Sequence, residues 1–331
     1  MLHAKIRELY GLYGQRKSMG VSSPSTELPH FFLLRTFLGE NDLLIILNSK
    51  RCAYQCHFCQ LPAKSSKVYI GEDELLAQLD YVFNEVKHSL SILDRITLSN
   101  EGSVLDSTTL PVPVLFELAR CLTEMRRVQS LVLETRLEYV DINVLQEIKK
   151  IAPRLKIDIL TGFETQNIEI REKILGKKET LSQFEQGLDK LANAGVNMTA
   201  YVLFKPSYLM TDDEAIDEAT QSIEYIKKEC GKRGLSYTIR LNPMYSAKGS
   251  RWELFAQKTV HYKPPRLTDI LRLAKTVRNA GGNIYIGLST ENLDDGYTYK
   301  SREDYSRTLL HDAVNFNNQF RLREFEMIDQ E

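Results

Sequence analysis

The sequence predicts an α/β protein built as a β/α barrel, and three observations carry that prediction. From Leu43 onward short β-rich runs alternate with amphipathic helical stretches, turn residues separate them, and glycines such as Gly195 and Gly281 close several of the helices. Strand, helix, strand repeated in this way means a parallel sheet. Each helical stretch has one apolar face, so the helices can cover only the outer face of the sheet. That favours a closed or partly closed barrel over a doubly wound sheet.

The strand candidates are Leu43 to Leu47, Ile96 to Ser99, Ser130 to Glu134, Lys156 to Thr161, Asn197 to Phe204, Tyr237 to Leu241 and Ile284 to Gly287. Between them the spacing predicts helices at 72–88, 112–127, 141–151, 180–194, 212–230 and 267–280, with a further one at 303–320. Residues 1–40 open on an amphipathic stretch (Ile6, Leu9, Tyr10, Tyr13), pass through the turn-rich Gly20 to Pro29 and reach Phe31 to Leu34, which reads as a cap on the barrel. The polar run Glu291 to Tyr297 and the residues after it read as a lid or a solvated extension. The expected domains are therefore a cap at 1–40, a barrel at 41–290 and an extension at 291–331.

At 331 residues and 43% hydrophobic, the chain can bury a large core. Lys plus Arg number 43 against 44 Asp plus Glu, so no overall basic field draws in nucleic acid, although a local patch stays open. No apolar run of membrane-spanning length occurs, and Met1 to Lys5 lacks the organisation of a signal peptide, so a soluble, cytoplasmic protein with no membrane partner is expected.

The strongest chemical signal is the run Arg51-Cys52-Ala53-Tyr54-Gln55-Cys56-His57-Phe58-Cys59, directly after the first barrel strand. Thiolates this close on a loop leaving a buried strand can converge on one soft metal centre. Three Cys ligands leave the fourth iron of a 4Fe-4S cube open to an outside ligand. A zinc-stabilised binding module is the alternative from another class. It needs a fourth ligand, which only His57 could supply, because Cys121 and Cys230 sit far along the chain in helical patterns. Disulfides fit poorly with an odd number of cysteines and no secretory signal.

CxxxCxxC with an aromatic before its last cysteine resembles the cluster signature of the radical S-adenosylmethionine (SAM) enzymes. The resemblance implies a partial (β/α)6 TIM-like barrel, here with an N-terminal helical cap and a C-terminal helical extension. It also implies a 4Fe-4S cluster on Cys52, Cys56 and Cys59 with Phe58 beside it, SAM on the open iron, and an electron donor such as flavodoxin or ferredoxin. Glu134-Thr135-Arg136-Leu137-Glu138, Gly162-Phe163-Glu164-Thr165-Gln166-Asn167 with the helix after it, and the strand ending Lys205-Pro206 are similar to segments of the Elongator-like radical domain. From about Leu43 to Ile226 the chain most resembles the radical component of archaeosine synthase, which acts on a modified 7-deazaguanine in transfer RNA. Two departures stand out: the first two cysteines are closer together here, and residues beyond about 235 carry no shared motif.

In a barrel, chemistry belongs at the carboxyl ends of the strands. There the segment Asn100-Glu101-Gly102 can offer backbone groups to the SAM ammonium, as the glycine-rich strand of the family does, although the usual glycine pair is absent. Glu134 can accept from ribose hydroxyls, and Arg136 can bind a carboxylate through its fork. Salt-bridging between the two is the plainer alternative. Glu164, Lys205 and Arg240 are the candidate catalytic residues facing the mouth, with Asn242, Tyr245 and Tyr285 at later strand ends. No cysteines serve a second cluster, and no cobalamin or acetyltransferase domain is expected. The substrate is expected to be a small molecule, with a transfer RNA base as the alternative.

Overall fold

The structure is a computed structural model, which describes residues 26–63, 65–288 and 298–320. Among these residues, eight strands form one curled sheet in sequential order, β1 to β8, a partial TIM-like barrel. They are β1 Phe31–Phe37, β2 Glu40–Ile46, β3 Arg95–Ser99, β4 Ser130–Glu134, β5 Lys156–Glu164, β6 Asn197–Phe204, β7 Tyr237–Pro243 and β8 Ile284–Ile286. From β2 to β8 every neighbouring pair is parallel, as the alternation requires.

The connecting helices are α1 Glu72–Glu85, α2 Val112–Glu124, α3 Ile142–Ile151, α4 Leu181–Ala194, α5 Asp212–Gly231, α6 Arg251–Lys258 and α7 Leu267–Asn279, and α8 Arg307–Asn318 comes after β8. Local chemistry sets their ends. Thr180 with Gln183 and Thr211 with Glu214 form capping boxes at α4 and α5, and Gly195 at φ 59° closes α4 in the left-handed region. Among the described residues no helix is long and apolar enough to cross a membrane.

Two elements depart from the sequence-based expectation. Phe31–Phe37, expected in the cap, is a strand antiparallel to β2. Its apolar run lacks the alternation of a half-buried strand, and it forms because the edge of β2 is there to receive it. Helix α6 has no counterpart among the expected helices; Ser250 caps it and Trp252 anchors it, its indole N–H donating to the Pro206 carbonyl at 2.9 Å. The amphipathic stretch around Ile6 to Tyr13, the run Glu291 to Tyr297 and the terminal tail lie outside the described residues.

Strand alternation separates two environments. Alternate positions of each strand, such as Ile45, Leu98, Ile159, Val202 and Leu241, pack under the helices in the main core. On the other face, Thr97, Glu134, Tyr201 and Arg240 point into a cavity inside the curl. At the opposite end from the mouth, Phe37 of β1 meets Tyr285 of β8 edge to face, with ring centroids 5.3 Å apart. The first and last strands are thereby bridged at the base.

Candidate active site

The cavity has a volume of about 230 Å³ and opens at the carboxyl ends of the parallel strands. All three motif cysteines line it, together with Phe58. The loop that carries them is held from behind. The His57 N–H donates to the Leu175 carbonyl at 2.7 Å, the Trp252 N–H donates to the His57 carbonyl at 2.9 Å, and the His57 ring sits against Gly176 with Nδ1 3.0 Å from the Ile174 oxygen. A small second core containing Ile170, Leu175, Met244 and Trp252 supports this side, with Phe58 packed on it. The His57 ring is not on the cavity wall, so it does not join the cysteines as the zinc alternative requires. Among the described residues, no three His, Cys, Asp or Glu gather as ligands of a single metal ion.

Burial pushes the thiols of Cys52, Cys56 and Cys59 up from the ordinary cysteine value, Cys59 most of all, while Lys177 and Arg136 pull Cys56 back. The loop after β3 lies against the first cysteine. A side chain on Gly102 would start 3.3 Å from the Cys52 Cβ, so glycine keeps this approach close.

Glu101, at φ 57°, accepts from the Ser65 hydroxyl at 2.9 Å and lies 3.4 Å from His30. Asn100 is not on the cavity wall. Its side chain shapes the turn instead, accepting from the Gly102 N–H at 3.2 Å and donating to the Thr109 hydroxyl at 3.3 Å.

At the end of β4, Glu134 and Arg136 both reach the cavity, but they do not pair as a salt-bridged strand end. Glu134 accepts from the Tyr201 hydroxyl at 3.2 Å. Arg136 forks onto Glu138 at 3.2 and 3.3 Å, donates to the Lys177 carbonyl at 3.1 Å and lies over the Tyr54 ring, 3.8 Å from its centroid. Burial disfavours the Arg136 charge, but Glu179 and Glu138 outweigh it and raise its pKa.

Glu164 ends β5 beyond a register shift, at φ 73°. It faces Lys177 at 3.8 Å, and Lys177 is 3.5 Å from Glu179, which is paired in turn with Arg171 at 2.6 Å. Burial raises the Glu164 carboxyl while Lys177 and Arg171 oppose the rise. Gly162 makes room for this network, because a Cβ there would fall 2.1 Å from Glu164 Oε1. Glu101, Glu164 and Lys205 are three of the five non-glycine residues with positive φ among the described residues, each at a strand end facing the mouth. Strained backbone of this kind persists where the surroundings over-determine it.

Lys205 corrects the sequence-based expectation. It is buried but is not on the cavity wall, because its left-handed backbone at φ 66° ends β6 and its ammonium meets Asp212 at 2.6 Å, within reach of Arg302 and Arg266 on the same carboxylate. Tyr285 is likewise spent at the base. Arg240, Asn242 and Tyr245 do line the cavity.

Tyr54, Lys177, Tyr201 and Arg35 are wall residues with no place among the sequence candidates. Tyr201 was open to discovery, since alternation along β6 puts it on the same face as Leu203. Arg35 was not, because its strand carried no recognisable pattern.

No protein-family model matches the chain. An uncharacterized protein of Methanocaldococcus jannaschii is 28% identical over 264 residues, 78% of this chain and 70% of that one. Archaeosine synthase subunit beta of Thermococcus kodakarensis is 26% identical over 223 residues, 66% of this chain and 64% of its own length. Among solved structures, the radical SAM methyltransferase TsrM of Kitasatospora setae, with tryptophan substrate and a SAM analog bound, superposes with a TM-score of 0.51. The match is 12% identical and covers 87% of this chain and 61% of that one.

Proposed function

We propose that this protein, which has the radical SAM fold and is distantly homologous to archaeosine synthase subunit beta, is a radical SAM enzyme that removes a hydrogen atom from a bound substrate. The observation that carries the reading is the convergence of Cys52, Cys56 and Cys59 on the cavity at the carboxyl ends of the strands. The donor set fits a 4Fe-4S cluster. Three thiols line the cavity with no fourth protein ligand gathered on them among the described residues, the cations Lys177 and Arg136 lie near enough to stabilise their thiolates, and Gly102 keeps the wall beside Cys52 free of a side chain.

When bound and reduced, the cluster would supply the electron that splits SAM into methionine and a 5′-deoxyadenosyl radical. Cys52, Cys56 and Cys59 would hold it, with Phe58 at its side. Backbone groups of Glu101 and Gly102 would take the SAM ammonium, Arg136 its carboxylate and Glu134 its ribose. Arg136 is already oriented for this by Glu138 and the Tyr54 ring, so little rotamer freedom remains to be lost on binding. Glu164 and Arg240 face the remaining wall, where they would contact substrate, and the apolar Leu160, Leu203 and Met244 beside them exclude water.

The size of the cavity suits a small-molecule substrate. A transfer RNA base is the second reading, favoured by the distant homology and by one surface feature. Lys50, Arg51, Lys67, Lys178 and Lys248 are all at least partly exposed on loops leaving the carboxyl ends of β2, β5 and β7, the mouth side of the barrel. Lys64 lies outside the described residues.

Anaerobic reconstitution should load about four irons with sulfide per chain and, with dithionite and SAM, release 5′-deoxyadenosine. A folded, iron-loaded sample releasing none would refute the enzyme reading, and one zinc per chain would favour the binding module. A transfer RNA complex that weakens steeply with salt would decide for the second substrate reading.

A further inference from the structure

Tyr201 stands inside the barrel on β6, in register with Gly162 of β5 on one side and Arg240 of β7 on the other. Its hydroxyl bridges two walls. It accepts from Arg240 Nη1 at 3.0 Å and donates to Glu134 Oε1 at 3.2 Å, and the Arg240 guanidinium also lies over its ring, 4.7 Å from the centroid. All three side chains line the cavity. A hydrogen-bonded path therefore runs from β7 across β6 to β4, linking the wall away from the cysteines to a residue beside the Cys52 loop.

We propose that Tyr201 is a positioning residue through which Arg240 sets the affinity for SAM without touching it. The inference rests on the reading of Glu134 as the ribose contact. A phenol has one proton to give. When a cation occupies one lone pair of the oxygen, the O–H is turned away from it, and Glu134 is the acceptor on that side. The charge-assisted bond from Arg240 polarises the hydroxyl and strengthens its donation to the carboxylate. With one oxygen fixed by Tyr201, the Glu134 carboxylate presents its other oxygen to the cavity in a defined orientation. If Arg240 is removed, the hydroxyl can rotate and Glu134 loses that constraint.

The test is a double-mutant cycle on anaerobically iron-loaded protein, with SAM affinity read by equilibrium dialysis and with circular dichroism and iron content as controls. Tyr201→Phe keeps the ring under Arg240 and removes only the hydroxyl. Tyr201→Phe and Arg240→Met should each weaken SAM binding about fivefold, the loss of one ordinary hydrogen bond. The double variant should be no weaker than either single one, because both break the same path.

An additive double variant, about 25-fold weaker, or single variants that bind SAM like the unaltered protein, would overturn the relay. If Arg240→Met does not fold, Tyr201→Phe alone carries the test, and SAM affinity unchanged in it would overturn the relay. Unaltered, fully loaded protein that binds no SAM would instead overturn the reading of the site on which the relay depends.

Discussion

Gly176 tests whether the cysteine loop is held from behind as the structure indicates. It adopts φ 61°, and a Cβ built there would sit 2.7, 2.8 and 2.9 Å from three atoms of the His57 ring. That ring cannot easily retreat, because Nδ1 is 3.0 Å from the Ile174 oxygen and the backbone of His57 is bonded on both sides, to Leu175 and Trp252. Gly176→Ala therefore meets two separate penalties. A left-handed conformation for a residue with a Cβ costs about 1–2 kcal/mol, and overpacking against a fixed ring costs about 1–3 kcal/mol. The sum is about 2–5 kcal/mol, a large share of the stability of an ordinary domain.

Because His57 directly succeeds Cys56, the strain should also reach the thiols. The assay is urea unfolding together with iron retained after reconstitution, both expected to fall. Repeating the substitution in a His57→Ala background separates the terms: the ring clash disappears, and only the backbone term of about 1–2 kcal/mol should remain. The reasoning is refuted if Gly176→Ala leaves the urea midpoint and iron content unchanged, or if its effect is equally large in both backgrounds.

Three other outcomes are expected. Replacing Cys52, Cys56 or Cys59 singly by Ala should abolish iron loading while leaving the far-UV circular dichroism spectrum intact, since the helices pack on the outer face of the sheet and not on these thiols. Lys205→Met should lower the urea midpoint, at a cost of about 1.5–3 kcal/mol, that of one hydrogen bond between charged groups, because Asp212 keeps Arg302 and Arg266 as partners; SAM affinity should be unchanged. Burial would raise the Asp212 carboxyl, but Lys205, Arg302 and Arg266 outweigh it and hold the group below its ordinary 3.8. Its folded value is thus the lower one, so its contribution to stability is complete above the unfolded value near 3.8 and is lost as pH falls through the folded value. Urea midpoints across that acid range should fall more steeply for the unaltered protein than for Asp212→Asn.

Much of the barrel was readable in the chain because its signals are local. Each parallel strand from β2 to β8 is a short β-rich run bounded by turn residues, and the capping boxes at Thr180 and Thr211 mark where helices begin. The three cysteines, Glu101, Glu134, Arg136 and Glu164 were expected at the cavity because they lie at or just beyond strand ends, and in a parallel barrel all such ends share one face; they line it, as does Arg240 from the middle of β7. Lys205 satisfied the same rule yet left the wall, because a single residue of left-handed backbone redirects a side chain, and nothing in its sequence neighbours announces that conformation.

The sequence by itself determined the alternation of strands and helices from β2 to β8, the outward apolar face and the chemistry offered by the CxxxCxxC loop, since each comes from spacing along the chain. Only the tertiary structure decided how the polar residues pair inside the curl. Arg136 turns to Glu138 and Tyr54, Glu134 reaches Tyr201 across 67 positions of chain, and His57 turns to Gly176 and away from the cysteines. The physical reason is that hydrogen bonds and ion pairs inside the barrel join residues on different strands. Their partners are fixed by register and curvature, which depend on the whole sheet closing at once.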